Sequence, residues 1–413
     1  MKTFSELYEE LALKAIKGNY EAGGKAGTDY DPLSLDCLLN PKKHPLVIRT
    51  GNCACPDGDI QECVNRCPFG AIREAPSGGI SIDSEACVGC AKCIEGCKSN
   101  NLTASTDVVS ALKAIRTADG PAYAMIAPAF LGQFSDEVTP GKLRTALKKV
   151  GFDGMLEVAL FADILTLKEA LEFDKNICEE SDFQLTSCCC PMWIAMIRKI
   201  YNELMPHVPG SVSPMVACGR VAKKLHPDAL TVFIGPCLAK KAEAREADLA
   251  SAVDYVLTFK EVQSIFDVLG IVPADLEESE KDHSSRAGRI YARAGGVSEA
   301  VEKTVAKLNP DRKIAVRTKR ADGVPACKAM VNALLTGKSD ANFYEGMGCV
   351  GGCVGGPRSV TGVVEGSRLV ENYGDISPYA TPAENPYVIE LLKRLGIETI
   401  EGLLESEIFD RHF

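Results

Sequence analysis

No run of the sequence approaches the roughly 20 consecutive apolar residues that a membrane-spanning helix requires, so a membrane is not an expected partner. The N-terminus lacks a charged cap on an apolar stretch with a small-residue cleavage site. Met1 and Lys2 open an acidic amphipathic segment instead, so no secretory signal is read and a cytoplasmic location is expected. Basic stripes with interleaved aromatics are also missing, and a formal net charge of −10 repels phosphate backbones, which argues against nucleic acid. Histidine is scarce: His44, His207, His226, His283 and His412 are scattered and none shows metal-ligand spacing. Low-complexity tracts are absent, and so are internal repeats apart from one doubled cysteine motif.

What remains is an ordinary globular composition, 46% apolar and 25% charged, in a chain whose 413 residues exceed one hydrophobic core. A small domain joined to a larger one is expected. The unusual feature is 18 cysteines. In a reducing compartment metal ligation explains them better than disulfides do, and their clustering agrees. Nine precede residue 100, three are consecutive at 188 to 190, and others sit before proline or among glycines, where backbone can approach an inorganic cluster closely.

Phe4, Leu7, Tyr8, Leu11 and Ala15 recur at helical spacing, and a Gly- and Asp-rich connector follows, giving a first segment of 1–44. Residues 45–105 are rich in cysteine and poor in apolar residues. Only short strands, at Ala71-Ile72 and Gly79 to Ile82, are expected there, and such a module must be held by metal. From 106 to 413 helical and strand-like runs alternate. Helices are expected at Val108 to Thr117 and, announced by Thr139-Pro140, at Lys142 to Val150. Strands are expected at Tyr123 to Ile126, Met155 to Leu160, Phe183 to Leu185, Leu230 to Ile234, Val253 to Leu257, Lys313 to Val316 and Ala341 to Tyr344. This alternation is that of an α/β domain with largely parallel sheet, whose ligands gather at strand carboxyl ends. The cysteines at 188 to 190, at 237 and at 349 follow directly on such strands.

Cys87-x-x-Cys90-x-x-Cys93-x-x-x-Cys97 has the spacing that wraps a [4Fe–4S] cluster, the fourth cysteine reaching a neighbouring cluster. A partner run, Cys53-x-Cys55 then Cys63-x-x-x-Cys67-Pro68, supplies the other half. Cross-ligation assigns Cys67, Cys87, Cys90 and Cys93 to one cluster and Cys53, Cys55, Cys63 and Cys97 to the other. Cys53-x-Cys55 is one residue tighter than the usual pair, which makes Cys37 a reserve ligand. A zinc site also uses C-x-x-C pairs, but eight thiolates exceed what one zinc takes. Cys178, Cys218 and Cys327 fall in expected helices with apolar neighbours and read as buried inert thiols.

Three further motifs stand apart: Thr186-Ser187-Cys188-Cys189-Cys190-Pro191-Met192-Trp193, Gly235-Pro236-Cys237-Leu238-Ala239-Lys240-Lys241-Ala242-Glu243, and Glu345-Gly346-Met347-Gly348-Cys349-Val350-Gly351-Gly352-Cys353 with Val354-Gly355-Gly356-Pro357. They offer thiolates from three distant strand ends, glycines that let backbone crowd a metal, and a lysine beside it. In order and spacing they resemble the [FeFe]-hydrogenases, and with the ferredoxin-like module the resemblance covers about residues 45 to 375. The triple cysteine and the Gly-Pro and Met-Gly details look like a divergent subgroup.

The resemblance implies a hydrogenase-like α/β catalytic domain beside a small ferredoxin-like α+β module. It also implies a six-iron H-cluster: a [4Fe–4S] cubane on Cys190, Cys237, Cys349 and Cys353, with Cys353 bridging to a two-iron subsite carrying CO and cyanide. Lys240 would bond a cyanide; Ala127, Pro128 and Ala129 would wall the subsite; Met347 and Tyr291 resemble further pocket residues. Cys189 would relay protons, with Cys188 as rival, and Glu169 and Glu172 match the family's outward proton path. Beyond them the match decays. The relay serine falls near Pro209, with Ser211 as substitute, the terminal arginine falls at Asn176, and Gly235 replaces a methionine, which would open the pocket. The implied partners are ferredoxin or a similar electron carrier, and maturation enzymes for the two-iron subsite. Two rivals share the motifs: a slow hydrogen sensor, and a hydrogenase-like iron–sulfur assembly scaffold, which would have no use for Cys189, Lys240 and Glu169.

Overall fold

The cysteine-rich segment holds four strands of three residues each, β1 (Val47–Arg49), β2 (Ile72–Glu74), β3 (Ile80–Ile82) and β4 (Leu102–Ala104), with helices at Asp57–Arg66 and Lys92–Glu95. β1 pairs antiparallel with β4, Val47 opposite Ala104, and β2 with β3, Ile72 opposite Ile82. The computed structural model describes residues 1–413 except 20–28, 52, 54–56, 77, 187–188, 280–282, 339 and 413, and of 57–61 only the backbone. Cys55, Ser187 and Cys188 therefore lie outside the described residues. The module's apolar interior is Val47, Ile72, Ile80 and Leu102, interleaved with Cys63, Cys93 and Cys97.

Seven further strands follow: β5 (Ala122–Ile126), β6 (Gly154–Glu157), β7 (Gln184–Leu185), β8 (Leu230–Gly235), β9 (Tyr255–Thr258), β10 (Thr318–Asp322) and β11 (Phe343–Met347). The expected sheet is two sheets. One runs β6-β5-β8-β9 and the other β10-β11-β7, with every pairing parallel. β5 and β8 are apolar almost throughout and take the central positions, because a parallel strand covered on both faces needs a continuous hydrophobic run. Helices Pro214–Leu225 and Phe259–Leu269 pack on the first sheet, and helices Gly296–Leu308 and Val324–Leu335 on the second.

The helix expected at 108–117 forms as read, and the one expected at 142–150 forms with its start two residues earlier, at Pro140. Thr139 accepts from the Lys142 amide to cap the second, and Gly151, at φ +121°, ends it. The strand expected to run to Leu160 stops at Glu157 and becomes helix Val158–Asn176. That helix packs against Pro214–Leu225 on one side and Gly296–Leu308 on another, and so is buried nearly all round. No strand forms at 313–316. The Ile314 carbonyl is taken by Arg312 and that of Ala315 by Asn342, so the ladder starts only at Thr318. Cys178 is exposed rather than buried: the helix ends at Asn176, and the Asp182 carboxylate collects the Cys178 and Glu179 amides in a turn. Cys218 and Cys327 are buried in helices.

The N-terminal helix Phe4–Lys17, closed by a Thr3–Glu6 capping box, inserts Phe4, Leu7, Leu11 and Ala15 into the main core beside Val108 and Leu112. Cys37 packs in that core too, and not with the module's thiols. Among the described residues no helix is long and apolar enough to cross a membrane.

Candidate metal centre

Parallel strands bring the motifs to one place. Cys190 follows β7 and opens helix Pro191–Ile200, Cys349 follows β11 of the same sheet, and Cys237 follows β8 of the other. Gly346 has no room for a Cβ, which would strike the Trp193 indole, so the first and third motifs interlock, and the Gly348 amide donates to Cys190 Sγ at 3.3 Å. A Cβ on Gly356 would lie 2.7 Å from Pro236 Cβ, and Arg358 donates its amide to the Pro236 carbonyl at 3.0 Å, which ties the third motif to the second.

The thiols of Cys190, Cys237, Cys349 and Cys353 are near enough for their charges to act on one another. Burial pushes the Cys237 thiol up to about 11 and that of Cys353 to about 12, and the charges of the other cysteines push the same way; Cys349 rises well above its ordinary value for the same reasons. Four thiolates that repel one another in a dry site are stable together only around a polycation, and a cubane gives each its own iron. The donor set therefore fits an iron–sulfur cluster. Gly351 and Gly352, at φ +80° and +85°, bend the chain between the last two cysteines in a way only glycine tolerates, and Gly352 lies against the Arg293 and Ala294 backbone.

Around these thiols stand the other expected residues. Cys189 is raised well above the usual thiol range, first by burial and then by the neighbouring Cys190, Glu169, Glu345 and Cys353. Lys240 is buried and its ammonium bonds Glu243 at 2.7 Å. Burial alone would lower it, but Glu243, Cys237 and Cys353 outweigh that and hold it above its ordinary value. The Tyr291 and Thr166 hydroxyls lie 2.8 Å apart, and burial followed by the charge of Glu169 raises the phenol well above its usual value. Asp163 fixes the segment that carries Tyr291 by accepting from the Ser285 and Gly288 amides. Ala127 donates its amide to the Ile234 carbonyl at 2.9 Å and leads into the Pro128–Phe130 turn with Ala129 fully buried, while Met347 ends β11 in the interior. Gly235 does not open a pocket: a Cβ there would lie 2.6 Å from the Phe233 ring and 3.1 Å from Ala127 Cβ.

A family model described as iron only hydrogenase large subunit, C-terminal domain, matches residues 121–357. The chain belongs to the iron-only hydrogenase family. Iron hydrogenase 1 of Clostridium pasteurianum is 28% identical over 263 residues, 54% of this chain and 46% of that protein. The periplasmic [Fe] hydrogenase large subunit of Nitratidesulfovibrio vulgaris is 31% identical over 276 residues, 55% of this chain and 65% of that one. This chain thus matches about half to two thirds of the length of those relatives. A cytosolic Fe-S cluster assembly factor of Danio rerio is also similar, 22% identical over 326 residues, 64% of this chain and 79% of that one. The fold matches the solved structure of an [FeFe]-hydrogenase studied during stepwise H-cluster assembly, with a TM-score of 0.63 and 23% identity over 75% of this chain and 98% of that one. Membership implies iron–sulfur clusters and an H-cluster, which the thiol set above fits.

In this hydrogenase-like chain the outer carboxylate is not isolated. Glu169 is buried and close enough to Cys189 and Tyr291 to raise both. One helical turn on, Glu172 bonds buried Lys168 at 2.5 Å, and the same ammonium reaches Ser211 Oγ at 3.0 Å and Asp410 at 3.1 Å. Burial raises Glu172, although the Lys168 charge opposes it. Asp410 lines a surface pocket with Arg220 and Lys223, so the network runs from the interior to solvent.

In the module, Cys67, Cys87, Cys90 and Cys93 line one small cavity with Val47 and Ile72, the four that cross-ligation groups together. Cys53, Cys63 and Cys97 share the module's interior. Gly89 lies 3.1 Å, measured from a Cβ placed on it, from the Leu238–Ala239 backbone, so the first of these sites abuts the Cys237 motif. Reading the sequence missed four residues. Glu243 and Glu345 lie inside quoted motifs without an assigned role, yet Glu345 is fully buried and accepts from Gly295, Ser298 N and Ser298 Oγ. Lys168 and Asp410 carried no signal beyond their type, because a buried ion pair is made by tertiary contact.

Proposed function

We propose that this chain is an [FeFe]-hydrogenase that interconverts dihydrogen with protons and electrons, with two [4Fe–4S] clusters in its cysteine-rich module relaying electrons. The observation that carries the reading is the meeting of Cys190, Cys237, Cys349 and Cys353 with Cys189, Lys240 and Glu169 in one buried site. When bound, the H-cluster supplies the electrons and the metal at which hydrogen is handled. Cys190, Cys237, Cys349 and Cys353 would hold it. Lys240, its charge fixed by Glu243, would supply a donor to the diatomic ligands, and Ala127, Pro128, Ala129, Met347 and Tyr291 would exclude water around them. Cys189 Sγ gives or takes the proton, and Glu169 exchanges it on the outer side. From there the route uses Glu172, Lys168 and Ser211 to Asp410, this chain's replacement for the arginine absent at Asn176.

Ferredoxin or a similar carrier as partner, maturation enzymes for the two-iron subsite, a cytoplasmic location and a divergent subgroup marked by the triple cysteine belong to the same reading. Likeness to cytosolic assembly factors favours a second one, a scaffold that holds cubanes only. Anaerobically matured protein assayed for hydrogen evolution from reduced methyl viologen, with iron counted on the same sample, separates them. Turnover with more iron than the cubanes account for supports the hydrogenase; cubane iron alone without turnover supports the scaffold. Full iron with very slow turnover is the outcome for a hydrogen sensor.

A further inference from the structure

Between the module and helix Pro191–Ile200 lies a groove of about 730 Å³ whose wall includes Cys87. The chain as a whole is strongly acidic, at −10, yet this groove is lined by six cationic side chains against three carboxylates; Arg198 and Arg411 pair with Glu246, Arg411 also with Asp248, and Arg245 lies 3.7 Å from Asp107, so the charge it turns to solvent is that of Lys42, Lys43 and Lys199. One of the three lining carboxylates, Glu243, is buried and already bonded to Lys240. Lys42 and Lys43 are exposed, and Lys42 sits 5.0 Å above the Tyr255 ring. Exposed Lys199 donates to the Glu85 carbonyl at 2.7 Å rather than to a carboxylate, and its charge reaches the Cys87 thiol. This lysine-bearing concavity thus lies over the cysteine site that abuts the Cys237 motif through Gly89.

We infer that this groove is the docking surface for a small acidic one-electron carrier protein, and that electrons enter at the cluster of Cys67, Cys87, Cys90 and Cys93 without passing the outer thiols Cys53, Cys63 and Cys97. This rests on the hydrogenase reading for its purpose, but the surface is defined by charge alone. A reduced carrier gives up one electron and the Cys87-side cluster gains it; two such transfers with two protons make one dihydrogen. Complementary charge steers encounter and is screened by salt, so binding must weaken as ionic strength rises.

The test is calorimetric binding of an oxidised acidic two-[4Fe–4S] ferredoxin to the full iron-loaded chain at low and high salt, with hydrogen–deuterium exchange to map the covered surface. Wild type is expected to bind with protection at 42–46, 84–88 and 194–199, and to lose affinity with salt. The double change Lys43→Glu and Lys199→Glu should weaken binding by about tenfold or more, Lys43→Glu alone by less, and exposed Lys393→Glu, outside the groove, hardly at all. Single Lys43→Glu keeps the test sound if Lys199→Glu disturbs folding, since Lys43 is exposed and, among the described residues, is hydrogen-bonded through its backbone. Protection around Cys53 and Cys97 instead, or affinity indifferent to both changes, overturns the inference. Docking at the groove in a protein that never evolves hydrogen would leave the surface standing and remove the hydrogenase reading; turnover with viologen beside docking elsewhere would do the reverse.

Discussion

The cysteine-rich module and the first parallel sheet are held by different forces. In the module the strands have three residues each, and three of its seven buried core residues are cysteines. In the sheet, Ala124 and Ile126 of β5 pair with Val232 and Ile234 of β8, all fully buried. The first region has little apolar area and, on the proposed reading, leans on metal; the second has an extensive apolar core of its own. The candidate metal centre stands on the second region, against the module at Gly89, with thiols and buried charges supplied on apolar strand ends. A domain with its own core can position a reactive cluster without depending on it for cohesion.

The sharpest way to break that contrast is to remove the iron. Chelation, or Cys90→Ser, should cost the module on the order of 10 kcal/mol, as loss of a structural metal does, with amide protection vanishing from 57–104 while β5 and β8 stay protected. Equal loss in both regions would mean that they form one cooperative unit. Next in size is Lys240→Met, which strands buried Glu243 and should destabilise the catalytic domain by about 3–5 kcal/mol in chemical denaturation, while the module's cluster absorbance is unchanged. Leu112→Ala in the main core should cost about 2–5 kcal/mol, again with the module's absorbance intact below the transition. More specific to chemistry, Lys168→Met, which also strands buried Glu172, should slow proton-limited turnover by about a hundredfold with iron content and melting of the module unaltered. Asp410→Asn, at the partly exposed end of the same network, should slow it only several-fold; a larger effect there than at Lys168 would refute the order of the route.

Much of this contrast is legible in the residues. Helix 108–117 and the capped helix 140–150 follow from spacing and from Thr139-Pro140, and strands β5 and β8 from unbroken apolar runs, because local chemistry and tertiary burial agree there. The convergence of Cys190, Cys237 and Cys349 was readable from their places after strands. Strand β10, Thr-Lys-Arg-Ala-Asp, was not, since it is polar at an edge and paired on one side only. The Glu243 partner of Lys240 and the Lys168 bridge to Asp410 were equally silent, because nothing in a charged residue's neighbours tells that a distant segment will bury it. Gly235 misled in another way: a missing side chain predicts space, but Phe233 fills it.

On the proposed function, the buried thiol set holds an H-cluster and not a cubane alone. Infrared absorption of the anaerobically matured protein in the CO and cyanide stretching region tests it directly. Metal-bound CO and cyanide bands, shifting when Lys240 is replaced, are the expected result; a matured, iron-loaded protein without such bands would contradict the account and leave an iron–sulfur scaffold.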